Sequence, residues 1–154
     1  MLRRQMSMAD STEKRLVRLL GQDAWQNSDA LARQLNVSSA TVRRKLRKLI
    51  QSGSLHIVGV VDPSEFGMPL TALIALDVAH DKLEDAMDAL VNRPEITWLS
   101  TTTGRFDVIA RGRFASTDNL SHFLTRQVAA IDGVESSETF ICLDVKKGRQ
   151  ISLP

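Results

Sequence analysis

The stretch LARQLNVSSATVRRKLRKL, residues 31–49, has the pattern of two short helices joined by a tight turn. Asn36 lies where the turn needs a left-handed backbone, and asparagine is the non-glycine residue that tolerates this conformation best. Ser38 can cap the helix that follows. The apolar positions of that helix recur at the spacing of one buried face: Val42, Leu46 and Leu49. This pattern predicts a helix-turn-helix whose second helix is presented to a DNA groove.

The face opposite this apolar stripe is polar at its start and basic further along. Hydroxyl side chains at a helix start allow close approach to a phosphate, and arginine can donate two hydrogen bonds to guanine. The candidate DNA-contacting residues are Ser38, Ser39, Thr41, Arg43, Arg44, Arg47 and Lys48. Lys45 is also expected at phosphates, because the helix has no acidic residue four positions away. The alternative is a solvated basic helix without a nucleic-acid partner.

The charge of the chain is divided unevenly along its length. Residues 1–60 contain 11 Lys and Arg against 4 Asp and Glu, a net of +7. Residues 61–154 contain 9 against 14, a net of −5, so the overall charge is only +2. This asymmetry predicts two modules, the first of which faces a polyanion.

Composition excludes several classes of protein. The apolar content of 43% supports a packed core, and no run of apolar residues is long enough to span a membrane. Residues 1–9 lack the apolar core of a signal peptide and are expected to be a flexible leader. Cys142 is the single cysteine, so no intrachain disulfide or cysteine metal cluster can form. These features predict a cytoplasmic protein without membrane association.

The predicted DNA-binding domain spans residues 10–54. Its first helix is expected from about Ser11 to Leu20, capped by Asp10 or Ser11 and ended by Gly21. Residues 55–68 are expected to form a linking strand and hinge, which could also serve as a short wing.

Residues 69–154 alternate between strand and helix patterns in the order β-α-β-β-α-β, which predicts a ferredoxin-like (ACT-like) domain and an α+β fold for the chain. Asp81 and Glu84 have the spacing of a capping box at its first helix. The inner stripe of that helix is expected to be Leu83, Met87, Leu90 and Val91. The plan leaves one sheet face without helices, and this face predicts a homodimer.

The combined pattern resembles the leucine-responsive/AsnC, or feast/famine, transcription regulators over nearly the whole chain. The matching motifs are residues 31–49, GVVDPSEFG at 59–67, RPEITWLSTTTGRFDVIARGRF at 93–114 and IDGVESSETFICLDV at 131–145. The resemblance implies a sequence-specific DNA-binding regulator, dimers that assemble into higher oligomers, and a small effector, commonly an amino acid, bound near subunit interfaces. Many relatives have glycine where this chain has Asn36.

The resemblance also implies that the TTGRFD hairpin is part of the effector site. A zwitterionic amino acid needs donors for its carboxylate and an acceptor for its ammonium group. The candidate effector-binding residues are Thr102, Thr103, Gly104, Asp107, Ser137 and Thr139. The alternative interpretation is structural, since Gly104 suits a tight hairpin turn and threonines are good strand formers.

Two other functions compete with this interpretation. An enzyme of the same architecture, such as a sirohaem decarboxylase, would use histidines near the loop STTTGRFD, which has none. A metabolite sensor without DNA binding would leave the basic first module unexplained. The three histidines, His56, His80 and His122, have no recognisable metal or nucleophile spacing, so no catalytic residue, metal or cofactor is expected. RNA-binding sheets expose aromatic residues, whereas aromatics are only 5% of this chain.

Overall fold

The computed structural model describes residues 10–148. The predicted leader, residues 1–9, and the last six residues of the predicted second domain lie outside the described part. The chain divides into two compact units, residues 1–58 and 59–154. This division falls inside the segment 55–68 that was expected to connect two domains. No helix of the described residues is long and apolar enough to cross a membrane.

Three helices form the first unit: α1 (Ser11–Gln22), α2 (Ser28–Leu35) and α3 (Ser39–Gln51). Apolar side chains from all three meet in one small core. Its fully or nearly buried members are Leu16, Leu20, Leu31, Ala32, Leu35, Val42 and Leu49. The apolar spacing of the sequence therefore predicted the inner faces of α2 and α3. Trp25, in the loop between α1 and α2, is 96% exposed.

Side chains cap each of these helices at its start. Asp10 accepts a hydrogen bond from the Glu13 N–H at 2.7 Å, and Glu13 accepts one from the Asp10 N–H, which completes a capping box. Asn27 caps α2 and Ser38 caps α3. The predicted end of α1 at Gly21 is wrong: the helix continues to Gln22, because the backbone N–H of Asp23 still bonds to Leu19.

The turn between α2 and α3 has the left-handed residue that the sequence predicted. Asn36 has φ 53° and ψ 51°, and its backbone N–H donates to carbonyls at the end of α2. Asparagine adopts this conformation at less cost than other residues with a Cβ. The turn from α2 into α3 therefore forms without a glycine.

The predicted linking strand does not form. Residues 55–60 have no regular secondary structure, and Val61 makes only an isolated bridge. A short 3-10 helix, Pro63–Phe66, follows and ends at Gly67 with φ 76°. A strand-like sequence needs a partner whose backbone groups complete its hydrogen bonds, and within residues 10–148 this segment has no such ladder.

The second unit is built on a four-stranded antiparallel sheet. Its strands are β1 (Leu70–Val78), β2 (Ile96–Thr101), β3 (Val108–Phe114) and β4 (Val134–Cys142). They lie in the order β2-β3-β1-β4. Helix α4 (Leu83–Val91) connects β1 to β2, and α5 (Thr117–His122) continues as a π-helical segment, Phe123–Val128, before β4. This is the ferredoxin-like order predicted from the sequence.

Both helices pack on one face of the sheet. Alternate residues of β1, namely Leu70, Ala72, Ile74, Leu76 and Val78, contribute to that core together with Leu90, Phe123 and Val128. Two details of the prediction are wrong. Asp81 makes no cap, because a 3-10 turn (His80–Lys82) precedes α4, and Val91 is 60% exposed at the end of the helix while Ala86 is buried instead.

The opposite face of the sheet carries exposed apolar side chains. Leu73 in β1, Trp98 in β2 and Phe140 in β4 are 38%, 49% and 49% exposed. Leu73 lies directly between Phe140 and Arg111 in the strand register, and Arg111 pairs with Trp98. These residues thus form one row across the helix-free face.

Candidate DNA-binding surface and effector loop

The exposed face of α3 is formed by its arginines. Arg43, Arg44 and Arg47 are all exposed, while Val42 and Leu49 on the opposite side are buried in the helical core. Residues three and four positions apart lie on the same side of a helix, so the guanidinium groups share one surface. The arrangement can donate several hydrogen bonds to phosphates or base edges.

The hydroxyl groups at the start of α3 organise the turn. Ser38 Oγ accepts a hydrogen bond from the Thr41 N–H at 3.1 Å and lies 2.9 Å from Thr41 Oγ1. The Ser39 hydroxyl donates to the carboxylate of Asp29 in the first turn of α2. An open groove of about 800 Å³ lies here, between the starts of α2 and α3. The sequence prediction missed Asp29, whose negative charge lies beside the candidate phosphate-contacting hydroxyls.

The sequence led us to expect Lys45 at phosphates together with the arginines, but it does not lie on their exposed face. Its side chain is only 16% exposed, and its ammonium group is ion-paired with Asp10 and lies 3.5 Å from Glu13 Oε1. The acidic partners come from the start of α1 and not from α3 itself. Lys45 therefore joins α3 to α1 instead of facing outward with the arginines.

Lys48 is more exposed than the ion-paired Lys45, but unlike the arginines it also lies close to an acidic side chain. Its side chain is 64% exposed, and its Nζ lies 3.5 Å from Oε1 of the almost fully buried Glu13.

The ion pair between Lys45 and Asp10 shifts the pKa of both groups. Their hydrogen bond raises the pKa of Lys45 and lowers the pKa of Asp10. Both effects come from the mutual stabilisation of the charged forms.

The loop between β2 and β3, residues 102–107, is closed by its own hydrogen bonds. The Thr102 hydroxyl donates to the carbonyl of Phe106 at 2.6 Å, and the Thr102 N–H donates to the carbonyl of Asp107 at 2.8 Å. Gly104 has φ 125°, which a residue with a Cβ rarely adopts. Thr103 and Gly104 at the tip are exposed.

Asp107 fastens this loop to the central strand. Its N–H donates to the carbonyl of Leu76 at 3.0 Å, and its Oδ2 accepts a hydrogen bond from the Val78 N–H at 2.9 Å. The strand register between β1 and β4 shifts at Asp77/Val78, so the N–H of Val78 is satisfied by a side chain at an irregularity of the sheet. The sequence prediction did not include this structural contact.

The other two candidate effector residues lie on the far side of β1. Ser137 and Thr139 belong to β4 and pair with Leu76 and Ile74. Because β1 separates β3 from β4, the loop and these hydroxyls lie about 10 Å apart, or two strand spacings. Arg105, which the sequence prediction missed, is exposed over the Phe106 ring at 4.9 Å, and its Nη1 lies 3.8 Å from Glu138 Oε2.

Comparison with known families agrees with both units. Residues 10–53 match a winged helix-turn-helix DNA-binding domain, and residues 71–151 match the Lrp/AsnC ligand binding domain. The chain belongs to the Lrp/AsnC family. An Lrp/AsnC protein with these two domains is a DNA-binding transcriptional regulator with a ligand-binding domain.

Relatives of this regulator include an uncharacterised HTH-type transcriptional regulator of Pyrococcus abyssi. It is 30% identical over 139 residues, which cover 90% of this chain and 88% of the relative. The HTH-type transcriptional regulator FL11 of Pyrococcus furiosus is 28% identical over 139 residues, covering 90% and 91% of the two chains.

Solved structures share the fold over most of their length. AsnC of E. coli has a TM-score of 0.82 at 25% identity and covers 90% of this chain and 95% of its own. A transcriptional regulator of Neisseria meningitidis, solved in complex with L-Met, has a TM-score of 0.83 at 22% identity and covers 95% and 96% of the two chains.

Proposed function

We propose that this Lrp/AsnC regulator binds pseudo-palindromic double-stranded DNA through α3, as a homodimer that assembles further, and that an amino acid alters its DNA affinity. The observation that carries the proposal is the exposed arginine face of α3, formed by Arg43, Arg44 and Arg47, on a helix fixed by capped turns. Effector binding to the second unit changes the spacing of the DNA-binding units or the assembly. Such coupling is typically about 1–3 kcal/mol.

The DNA contacts divide into two kinds. The side chains of Arg43, Arg44 and Arg47 face a groove of the DNA, where one or more of them donates to base edges. Ser38, Ser39, Thr41 and Lys48 contact phosphates, which set affinity and orientation rather than sequence choice. The hydroxyl of Ser39 reaches a phosphate only if it leaves Asp29, so we expect the weakest contribution from this residue.

The helix-free sheet face supplies the dimer contact. Leu73, Trp98 and Phe140 are the apolar members of the row there, which also contains Arg111, and burial of these three side chains against a second copy would remove them from water. Two DNA-binding units held about 34 Å apart contact two half-sites one helical turn apart. Each DNA-binding unit alone binds weakly, and the dimer binds specifically because both units contact the same DNA.

The effector contacts centre on the loop 102–107. The exposed tip at Thr103 and Gly104 offers hydrogen-bond donors to a carboxylate, and Thr102 and Asp107 keep the loop in shape through their bonds. Asp107 also supplies the acceptor for an ammonium group. Ser137 and Thr139 contact the same effector only if it lies across the end of β1 or bridges two copies of the chain.

We infer that the regulator acts without catalysing a reaction. The loop that corresponds to the catalytic region of sirohaem decarboxylases contains no histidine. Within residues 10–148 no group of three or more His, Cys, Asp or Glu side chains could hold a metal ion. Addition of iron porphyrin should therefore leave the absorbance spectrum equal to the sum of the two components. A new Soret band would contradict this inference.

Fluorescence anisotropy with labelled duplexes from the region upstream of the chain's own coding sequence tests the function. We expect saturable binding in dilute buffer, loss of affinity with added salt, and a shift of the binding curve by at least one member of a panel of amino acids. Equal affinity for this region and for a scrambled duplex at every salt concentration would contradict specific DNA binding. A binding curve that no amino acid shifts would contradict only the proposal that an amino acid alters the DNA affinity.

A further inference from the structure

A cavity lies in the second unit, away from the loop 102–107, which is called the effector loop below. It has a volume of about 290 Å³ and lies where Pro94 and Glu95 precede β2 and where Phe114 ends β3. The effector loop lies at the other end of β3, about 20 Å away along seven residues of strand. The two places are therefore separate sites within one unit.

Glu95, one of the residues that line this cavity, has a carboxylate oxygen without a partner in the described part of the chain. Oε2 of Glu95 is buried, and within the described residues it has no hydrogen-bond partner. The backbone of the same residue is fixed, because its carbonyl accepts from the Arg113 N–H at 2.9 Å. A carboxylate oxygen removed from water is costly unless a donor meets it, and a charged donor stabilises it most.

The walls of the cavity suit a ligand with one polar end and one apolar part. The Phe114 ring and the Met68 side chain provide apolar surface, while Asn119, His122 and Gln127 provide polar groups from the helix side. The buried Arg113 also lines the cavity, and its Nη1 donates to the Thr71 hydroxyl. Gln127 lies in the π-helical segment Phe123–Val128. Such segments are rare and are often found at functional sites, because the extra residue in the turn redirects neighbouring side chains.

The apolar wall is fixed in place before a ligand arrives. A Cβ on Gly112 would lie 2.5 Å from Cε2 of Phe114, so the ring occupies its position only because residue 112 is glycine. The Phe114 ring also packs against Phe123, with 5.3 Å between ring centroids. The cavity is thus a preformed space of amino-acid size.

We propose that this cavity is a second small-molecule site, which binds a ligand whose ammonium group donates to Glu95 while its apolar part contacts Met68 and Phe114. The chemistry is shared by alkylamines and by free amino acids with an apolar side chain. The proposal does not depend on DNA binding or on the effector role of the loop 102–107.

Methyl NMR of the full-length protein labelled with ¹³C-methyl methionine tests the proposal. Met68 lines the cavity, and Met87, which packs against the core elsewhere, serves as an internal control. The probe is n-butylammonium, with n-butanol and butyrate as uncharged and anionic comparators. We expect a saturable shift of the Met68 resonance with the ammonium probe alone, and no shift of Met87.

A pair of matched variants shows whether Glu95 is the acceptor. Glu95→Gln keeps the shape but removes the charge, and we expect the ammonium probe to bind about tenfold or more weakly. Glu84→Gln, an equivalent change at an exposed position of α4, should leave binding unchanged. Equal responses to all three probes, no response at all, or equal affinity in Glu95→Gln would overturn the proposal, and a bound water would then be the partner of Glu95.

L-norleucine distinguishes the two sources of the ammonium group, because it has the butyl chain of the probe together with an amino-acid head. Tighter binding than n-butylammonium at Met68 supports an amino acid as the ligand. Weaker binding supports an amine without a carboxylate.

Discussion

The carboxylate of Asp107 accepts a hydrogen bond from the backbone N–H of Val78, with 2.9 Å between Oδ2 and N. This bond joins the start of β3 to the end of β1 at the irregularity of the sheet. Removal of the side chain therefore affects both the structure of the loop and any charge that an effector would meet.

Two substitutions at Asp107 separate these effects. Asp107→Ala removes the acceptor and leaves the Val78 N–H unsatisfied, so we expect a loss of about 1–3 kcal/mol of stability in urea unfolding. Asp107→Asn keeps an acceptor oxygen and should cost clearly less. If the negative charge binds the ammonium group of the effector, both variants lose the effector response in the anisotropy assay. A normal response in Asp107→Asn would show that the charge has no such role.

Arg44→Ala should weaken binding to the specific duplex while the fold stays intact, because the side chain is exposed. If Arg44 donates to a base, the expected loss is about 1–3 kcal/mol with relaxed preference at one base pair. Arg18→Ala removes the same charge from an exposed position of α1 and is the matched control. Equal losses in the two variants would mean that Arg44 contributes only general charge.

Acid should weaken the contact between α1 and α3. The pKa of Asp10 is lowered in the folded protein by its hydrogen bond with Lys45, so its contribution to stability is complete above the unfolded pKa of about 3.9 and is lost as the pH falls through the folded value. Asp10→Asn keeps the helix cap but removes the charge. In urea unfolding between pH 2 and 6, this variant should lose less stability on acidification than the unmodified protein. Asp88→Asn, at an exposed position of α4, should behave like the unmodified protein.

The left-handed turn at Asn36 gives a prediction of stability alone. Asn36→Ala should destabilise the protein by about 1 kcal/mol, because a Cβ without a helpful polar group is strained at φ 53°. Asn36→Gly removes that strain and should be at least as stable as the unmodified protein in urea unfolding. An alanine variant as stable as the glycine variant would mean that the turn relaxes to another conformation.

Phe140→Lys tests the helix-free sheet face as the dimer contact. We expect sedimentation velocity to show a shift towards monomer and the anisotropy assay to show weaker DNA binding, because a charge replaces half-exposed apolar surface. Val91→Lys changes a similarly exposed apolar residue at the end of α4 and should leave assembly unchanged. Unchanged sedimentation of Phe140→Lys would place the contact on another surface.

Periodic apolar residues were enough to predict the helices, the order of elements in the second unit and most of the packed faces, although Val91 and Ala86 of α4 were exceptions. They failed where a position depends on a distant partner. Lys45 lies three residues after Val42 and four before Leu49, both of which are buried, so its place beside the core could have been inferred from helical geometry. Its acidic partners are 32 and 35 residues away in sequence, and no local pattern identifies them.

The candidate sites show the same division. Hydroxyls and arginines at the start of α3 could be proposed from local chemistry, whereas the bond between Ser39 and Asp29 depends on how two helices meet. The expected strand at residues 55–60 has suitable residues but no ladder partner within residues 10–148. Glu95 gave no sequence signal, because its unpartnered oxygen results from the way in which three segments enclose a space.

The sequence contains two tryptophans, and each unit has one: Trp25 is almost fully exposed between α1 and α2, and Trp98 is half-exposed on the helix-free sheet face. If one tryptophan is replaced by phenylalanine, the remaining intrinsic fluorescence therefore comes from one unit alone. Quenching by iodide would monitor solvent access to the helical unit through Trp25, and to the sheet through Trp98, without an attached dye.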